Sequence, residues 1–352
     1  MSNIKSLIVS PGEKWDKYLN IFDKYGMTDI YFNYRYLQLY VIEESHALIE
    51  SFVFESNGDI FFMPYIRRPI MGSDNFWDFE TVYGYSGPIS TSENNEFLKL
   101  AWQNFMKSMQ KIGVIAGLIR FHPFFNNDKF CKNNLIEVHY ERDTVWLDCN
   151  RDLDEVLSNY PKRLLEKLKT VESRGVKVNS SNNINDLHAF GEIYLERMKS
   201  IGAREEFHYG LDYFDRLTKL GNDNWKIYLA YTPDNKVMGG CLVLFSKGLC
   251  HYHLAASKYE YIKYNPSDML IHTIIKESLK SNIEKIHFGG GRTKEPNDGL
   301  FSFKSKFSKQ VCRFKVGFCV VDEKKYKSLC ENWEAKYPEK QEFANFFLKY
   351  RY

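Results

Sequence analysis

The sequence predicts an α/β (α+β) protein built as two tandem domains, each a mixed twisted sheet flanked by helices. Three observations carry that expectation. The 352 residues suffice for two separate hydrophobic cores. Apolar spacing switches repeatedly between the helical and the strand period. One hairpin plan also occurs twice, as ESFVFESNGDIFFMPYI and as KIYLAYTPDNKVMGGCLVL. Each is a strand, a polar turn and a strand interrupted by Pro64 or by Gly239 and Gly240, where a sheet bulges. The chain divides near Asn150, into an N-terminal domain 1–150 and a C-terminal domain 151–352.

In the first domain, Glu13–Tyr25 reads as a helix and Ala47–Glu55 and Asp59–Arg67 as strands. Ser56-Asn57-Gly58 between them is a hairpin turn, because Asn and Gly accept positive φ. Glu96–Ile112 places Phe97, Leu98, Ala101, Phe105 and Met109 on one helical face. Val114–Phe121 is a strand, and Thr144–Asp148 is the last strand of this domain. In the second domain Leu153–Ser173 and Ile184–Ser200 are helical. Trp225–Tyr231 and Lys236–Phe245 are strands around the turn Pro233-Asp234-Asn235, and Leu249–Ala256 is another. Pro266 opens a helix to about Ser281, the strand Ile283–Phe288 follows, and Asp322–Tyr352 forms a helical cap on this domain.

Composition excludes more than it specifies. The formal charge of +3 is too small to imply a polyanion by itself, and no DNA partner is expected. No run approaches the roughly 20 apolar residues of a spanning helix, so at most peripheral membrane association is expected. The N-terminus lacks a secretory h-region, and a cytoplasmic protein is the expectation. Seven scattered cysteines without a C-x-x-C pair suit a reducing compartment. No histidine spacing suggests a metal site.

The most informative stretch is IEKIHFGGGRTKEPNDGLFSFKSKF, 283–307. A strand runs into Gly289, Gly290 and Gly291, which permit positive φ and close approach of a ligand to the backbone. Arg292, Lys294, Lys304 and Lys306 are cations suited to a phosphate or carboxylate. A tight turn with solvated lysines is the plainer alternative.

This stretch, HFGGG followed by Asp298 and LFSFKSKF, resembles the closing motif of the FemABX peptidyl-transferase family. YGYSGP (83–88), RFHP (120–123) and FFLKYR (346–351) are similar to segments of its polysaccharide-locus relatives. The resemblance extends from about Ile30 onward. It implies two tandem GNAT-like (acyl-CoA N-acyltransferase superfamily) folds in cell-wall or surface-polysaccharide synthesis. It implies transfer of an acyl or aminoacyl group to the amino group of a nucleotide- or lipid-linked amino sugar. No tightly bound cofactor is implied; the donor is aminoacyl-tRNA or acyl-CoA, with tRNA as a partner in the first case. Ser257–Ser267 and Ile89–Glu96 stand where a CoA enzyme carries its Gly-rich pyrophosphate turn, and neither contains glycine. That departure favours the aminoacyl donor over an N-acetyltransferase with a degenerate loop. A catalytically inactive scaffold of the same fold is the third reading.

The resemblance places Lys304, of the Phe303-Lys304 pair, on a substrate phosphate; otherwise it is an exposed lysine at a strand start. Asp298 is a candidate to orient the acceptor amine or accept its proton, or else a turn former. His122 is a candidate base or hydrogen-bond donor, or a structural histidine. Arg120 could clamp a carboxylate or phosphate. Tyr83 and Tyr85, alternating in a YGY strand, could stack on a sugar or base, or pack in the core. His251 and His253 share a strand face. The basic face of 162–177 (Lys162, Arg163, Lys167, Lys169, Arg174) is solvated, or contacts phosphates.

Overall fold

The computed structural model describes residues 4–42, 45–72, 75–131, 134–295 and 297–352. In chain order the elements are β1 (Lys5–Val9), α1 (Glu13–Asp23), α2 (Tyr34–Leu37), β2 (Leu48–Ser56), β3 (Asp59–Pro69), β4 (Trp77–Glu80), β5 (Ile89–Ser90), α3 (Asn95–Lys111), β6 (Val114–Arg120) and β7 (Glu137–Asp148). Then follow α4 (Leu153–Ser158), α5 (Lys162–Ser173), β8 (Lys177–Ser181), α6 (Ile184–Ser200), α7 (Leu211–Leu217), β9 (Trp225–Tyr231), β10 (Val237–Ser246) and β11 (Leu249–Ser257). The chain ends with α8 (Pro266–Ser278), β12 (Lys285–Gly290), α9 (Gly299–Lys304), β13 (Gln310–Val320) and α10 (Glu323–Lys336).

Two compact units form, but not as 1–150 and 151–352. The first comprises Met1–Glu141 with Arg313–Tyr352, the second Arg142–Cys312. Strand pairing explains the difference. β13 returns to lie antiparallel to β6, with Val316 opposite Arg120 and Val320 opposite Ala116. The 142–148 part of β7 lies antiparallel to β12 in the second unit, with Ile286 opposite Leu147. Thr144–Asp148 therefore opens the second unit and does not end the first. The C-terminal segment likewise caps the first unit. Phe347 stacks on Phe318 at 4.3 Å between centroids, and Arg351 Nε donates to buried Asp78 Oδ2 at 2.7 Å.

Both units repeat one topology. β1, β2, β3 and β4 form an antiparallel series, α3 crosses over, and β6 runs parallel to β4. β8, β9, β10 and β11 form the second series, α8 crosses over, and β12 runs parallel to β11. The repeated hairpins thus hold equivalent places in the two strand series. Asn57 (φ 52°) and Gly58 (φ 89°) make the first hairpin turn, and β10 bulges between Val237 and Gly239.

The first unit has an aromatic core. Asn94 caps α3 by accepting from Glu96 N and Phe97 N, and the helix lays Phe97, Ala101, Trp102, Phe105 and Met109 against Phe52, Phe61 and Phe79. Phe62 points to the opposite face, where it meets Trp15 and Phe22 of α1. In the second unit, α5 and α8 cover one sheet face, with Leu164, Leu168, Leu270 and Ile274 in a core with Cys241, Val243 and Cys250. Phe190 of α6 packs with Phe214 of α7, and Gly240 sits so close beneath Phe190 that a Cβ there would approach its ring to 2.9 Å. The expected helix Leu153–Ser173 is two helices, because Pro161, the N-cap of α5, has a ring that cannot continue α4.

Candidate functional site

The end of β12 is shaped by a bulge. Opposite β7 the register runs from His287–Trp146 to Gly289–Val145, so Phe288 is the inserted residue, and Gly289 takes φ +76°. Gly290 is not at positive φ. A side chain there would meet the Asp143 carbonyl oxygen at 2.9 Å and the Arg142 Cδ at 3.0 Å. Its small size is thus required by the neighbouring strand, and the expectation of positive φ holds for Gly289 but not for Gly290. A side chain on Gly291 would overlap the Asp298 carboxylate.

Asp298 anchors the loop that follows. Oδ1 caps α9 by accepting from Leu300 N and Phe301 N, both at 2.9 Å. Oδ2 accepts from Arg292 N at 3.0 Å and from Thr293 N and Oγ1 at 3.1 and 3.2 Å. Partial burial pushes its pKa up, but hydrogen bonds from the Phe301, Thr293 and Arg292 N–H groups outweigh it and hold the carboxyl at about 2. A carboxylate so committed is a weak base, so its place is that of a positioning residue and not of a proton acceptor. Arg292 contributes only backbone groups to these contacts, and it is exposed.

Lys304 is the last residue of α9 and not an exposed lysine at a strand start. It is 7 % exposed and donates to the Gly290 carbonyl at 2.7 Å. Burial lowers its pKa to about 7, against the opposing pull of Asp298 and Cys241 and with the help of Arg142. Arg142 Nη1 donates to the carbonyls of Gly291 at 2.9 Å and Arg292 at 3.0 Å. Three successive carbonyls after the bulge therefore turn toward two cations, one of them able to gain or lose a proton near neutrality. Behind them, His287 Nε2 and Thr144 Oγ1 are 2.9 Å apart, and Thr144 Oγ1 lies 3.1 Å from Cys312 Sγ. His251 and His253 occupy β11, and His253 pairs with Tyr213 Oη at 2.9 Å. Burial, reinforced by His251, lowers the His253 pKa to about 3, so it is neutral. Arg142 and Thr144 carried no sequence motif. Their only signal was alternation within a strand whose partner lies about 145 residues away.

The structure brings Gly289, Gly290, Gly291, Arg292, Asp298 and Lys304 together in the second unit. His122, Arg120, Tyr83 and Tyr85 belong to the first, and each has other work there. His122 is fully buried: Nε2 meets Asp29 Oδ2 at 2.8 Å, Nδ1 accepts from Phe124 N at 3.3 Å, and the ring stacks on Phe125 at 3.8 Å. Both ring nitrogens are used inside the protein, so it is a structural histidine, correcting its candidacy as a base. Arg120 donates to the Thr81 carbonyl at 2.7 Å and to Glu80 Oε2 at 3.0 Å. Glu80 also binds Arg68. Although burial raises its pKa, Arg68 and Arg120 hold it below the ordinary value. The guanidinium closes an ion-pair network and does not offer a free clamp. Tyr83 and Tyr85 flank Gly84 in a bend and not in a strand, because Gly84 takes φ +107°; a side chain there would also strike the Tyr31 ring. Tyr85 packs edge-on against Tyr31 and Phe314 at 5.6 and 5.1 Å, while Tyr83 is 39 % exposed beside Tyr40.

The segment that would cradle a cofactor pyrophosphate is a 3-10 turn, Tyr259–Tyr264, leading into α8. Pro266, the first residue of α8, has no N–H, and Asp268 N and Met269 N both donate to the Asn265 carbonyl. The Asp268 carboxylate, paired with Lys167, lies in the first turn. A helix start so arranged offers few free N–H groups to a polyphosphate. Among the described residues no group of three or more His, Cys, Asp or Glu is placed to hold a metal ion, and no helix is long and apolar enough to cross a membrane.

Residues 159–304 match the family model of the acetyltransferase (GNAT) domain. Over 184 residues the chain is 23 % identical to the UDP-N-acetylmuramoylpentapeptide-lysine N(6)-alanyltransferase of Weissella viridescens, covering 51 % of this chain and 53 % of that protein. The chain thus aligns with about half the length of that relative. Among solved structures it is similar to FemX, with a TM-score of 0.71 at 11 % identity over 92 % of this chain and 99 % of the other. It is also similar to a tandem GNAT protein from the clavulanic acid biosynthesis pathway, with a TM-score of 0.54 at 8 % identity over 91 % and 99 %. L-PGS from Bacillus licheniformis gives 0.52 at 12 % identity over 76 % and 84 %. The fold is that of tandem GNAT proteins.

Proposed function

We propose that this chain, a FemX-like protein of the tandem GNAT fold, transfers an aminoacyl group to an amine of a peptidoglycan or surface-polysaccharide precursor. The observation that carries this reading is Lys304, a buried cation pinned to the Gly290 carbonyl at the bulged end of β12. In the reaction the acceptor nitrogen forms a bond to the donor's ester carbonyl carbon, and the ester C–O bond breaks. The proton the amine loses is matched by one gained by the leaving oxygen. A lysine with a pKa of about 7 in a dry setting suits both demands on the donor side. It can neutralise the developing oxyanion and return a proton to the leaving group. Asp298 and Arg142 act indirectly, by fixing the loop and the strand end that hold Lys304 in place.

The start of α8 favours an aminoacyl-tRNA over an acyl-CoA donor. One helix N–H is missing, two are already used, and a carboxylate occupies the first turn. The acceptor is read as a nucleotide- or lipid-linked amino sugar or its peptide, met in the cytoplasm. The test compares alanyl-minihelix RNA with acetyl-CoA as donors, using a UDP-linked muramoyl pentapeptide and UDP-amino sugars as acceptors. Transfer from the RNA alone is the expected result. Transfer from CoA alone would overturn the donor assignment, and a well-folded protein inert with every pair would be a scaffold.

A further inference from the structure

A second polar cluster lies where α5 meets α8. Asp268 and His272 are one turn apart on α8, and Tyr160, just before α5, sets its ring 6.0 Å from that of His272. Lys167 of α5 donates to Asp268 Oδ2. Tyr160, Asp268 and His272 are only 5 %, 4 % and 7 % exposed. Yet Tyr160 Oη, Asp268 Oδ1 and His272 Nδ1 have no hydrogen-bond partner among the described residues. Buried polar atoms are ordinarily satisfied, and three in one cluster, two on α8 and one at the entry to α5, mark a place built to receive something.

We infer that this α5–α8 cluster binds the ammonium group of an amino-acid moiety, with Asp268 Oδ1, Tyr160 Oη and His272 Nδ1 accepting its N–H donors. The chemistry selects the ligand. Asp268 offers only acceptors and turns away phosphates and carboxylates. Burial and the nearby Lys276 keep His272 uncharged, so its ring can accept. Lys167, whose side chain is 37 % exposed, marks the edge where the cluster meets solvent. A line of rings leads from here toward Lys304. Tyr160 contacts Phe307 at 5.5 Å, Phe307 contacts Phe303 at 5.7 Å, and Phe303 precedes Lys304. The inference rests on the aminoacyl-donor reading, for which this would be the pocket of the donor's α-ammonium.

Titration of the full chain with L-alaninamide and N-acetyl-L-alaninamide, followed by NMR, tests the pocket without requiring turnover. The free amine should bind at least about tenfold more tightly than its acetylated form, as suits hydrogen bonds to a charged acceptor. Asp268→Asn and Tyr160→Phe should each erase that preference, and Tyr160→Phe alone decides if Asp268→Asn fails to fold. Equal binding of both amides, no binding, or a preference that survives both variants would mean an ordered water only and would overturn the inference. The outcome is separable from the proposed function. Amine binding without aminoacyl transfer sinks the function and leaves the pocket, and transfer without amine binding does the reverse.

Discussion

Lys304 Nζ and the Gly290 carbonyl, fourteen residues apart in sequence, are joined by a 2.7 Å hydrogen bond that ties the end of α9 to the end of β12. Replacing the lysine by methionine keeps the bulk and removes both charge and donor. Turnover should fall roughly 100-fold with little change in fold, the scale of losing one oxyanion donor. Steady-state kinetics beside a thermal melt would show it, and unchanged kcat/KM would remove Lys304 from the chemistry.

The same residue should leave a mark on stability. Its pKa is depressed from 10.5 to about 7 by burial. Between those values the unfolded chain holds a proton that the folded chain has lost, so stability should rise with pH across that window. The rise is absent below the folded value, where both states are charged. Lys304→Met should flatten it, a difference on the order of a few kcal/mol. Urea denaturation of both proteins from pH 6.5 to 10.5 is the measurement, and parallel curves would contradict the buried, depressed lysine.

Asp298→Ala removes an acceptor of five hydrogen bonds and should cost about 1–2 kcal/mol, the range of a lost helix cap. Asp298→Asn retains part of the cap and should retain part of the activity, with the acid limb of the pH–rate profile unmoved. Abolition of turnover together with loss of that limb would restore Asp298 as the base.

Gly289→Val and Gly290→Val should both lower the melting temperature, for different reasons. The first places a β-branched residue at φ +76°, at a cost on the order of 1–3 kcal/mol. The second drives a side chain into the Asp143 carbonyl. Wild-type melting with ligand binding alone abolished would reinstate the glycines as pure ligand clearance.

His122→Phe takes away the ring nitrogen that meets Asp29 Oδ2 at 2.8 Å in a fully buried setting, and should cost about 1–3 kcal/mol. Kinetic constants of the protein that remains folded should be unchanged, and a selective loss of kcat would return His122 to the site.

Local signals were legible and distant pairings were not. Trp225–Tyr231 and Ile184–Ser200 fall at their predicted bounds because alternation and the Asn183 cap are written in neighbouring residues. The glycine run and Lys304 were visible for the same reason. The partners of β7 and β13 lie about 140 and 200 residues away, and no composition announces them. The proline after His122 fixes an extended backbone but says nothing of where the ring points, and an arginine such as Arg120 reads alike whether it binds a ligand or Glu80. Phe301, Phe303 and Phe307 alternate as in a strand, yet the Asp298 cap makes the first two helical.

The return of β13 to β6 also sets an order of events during synthesis. The first unit is made first but cannot close its sheet until residues 313–320 have left the ribosome, by which time the whole of the second unit has emerged. Until then β6 offers an open edge, the kind of surface that pairs with other strands when left uncovered.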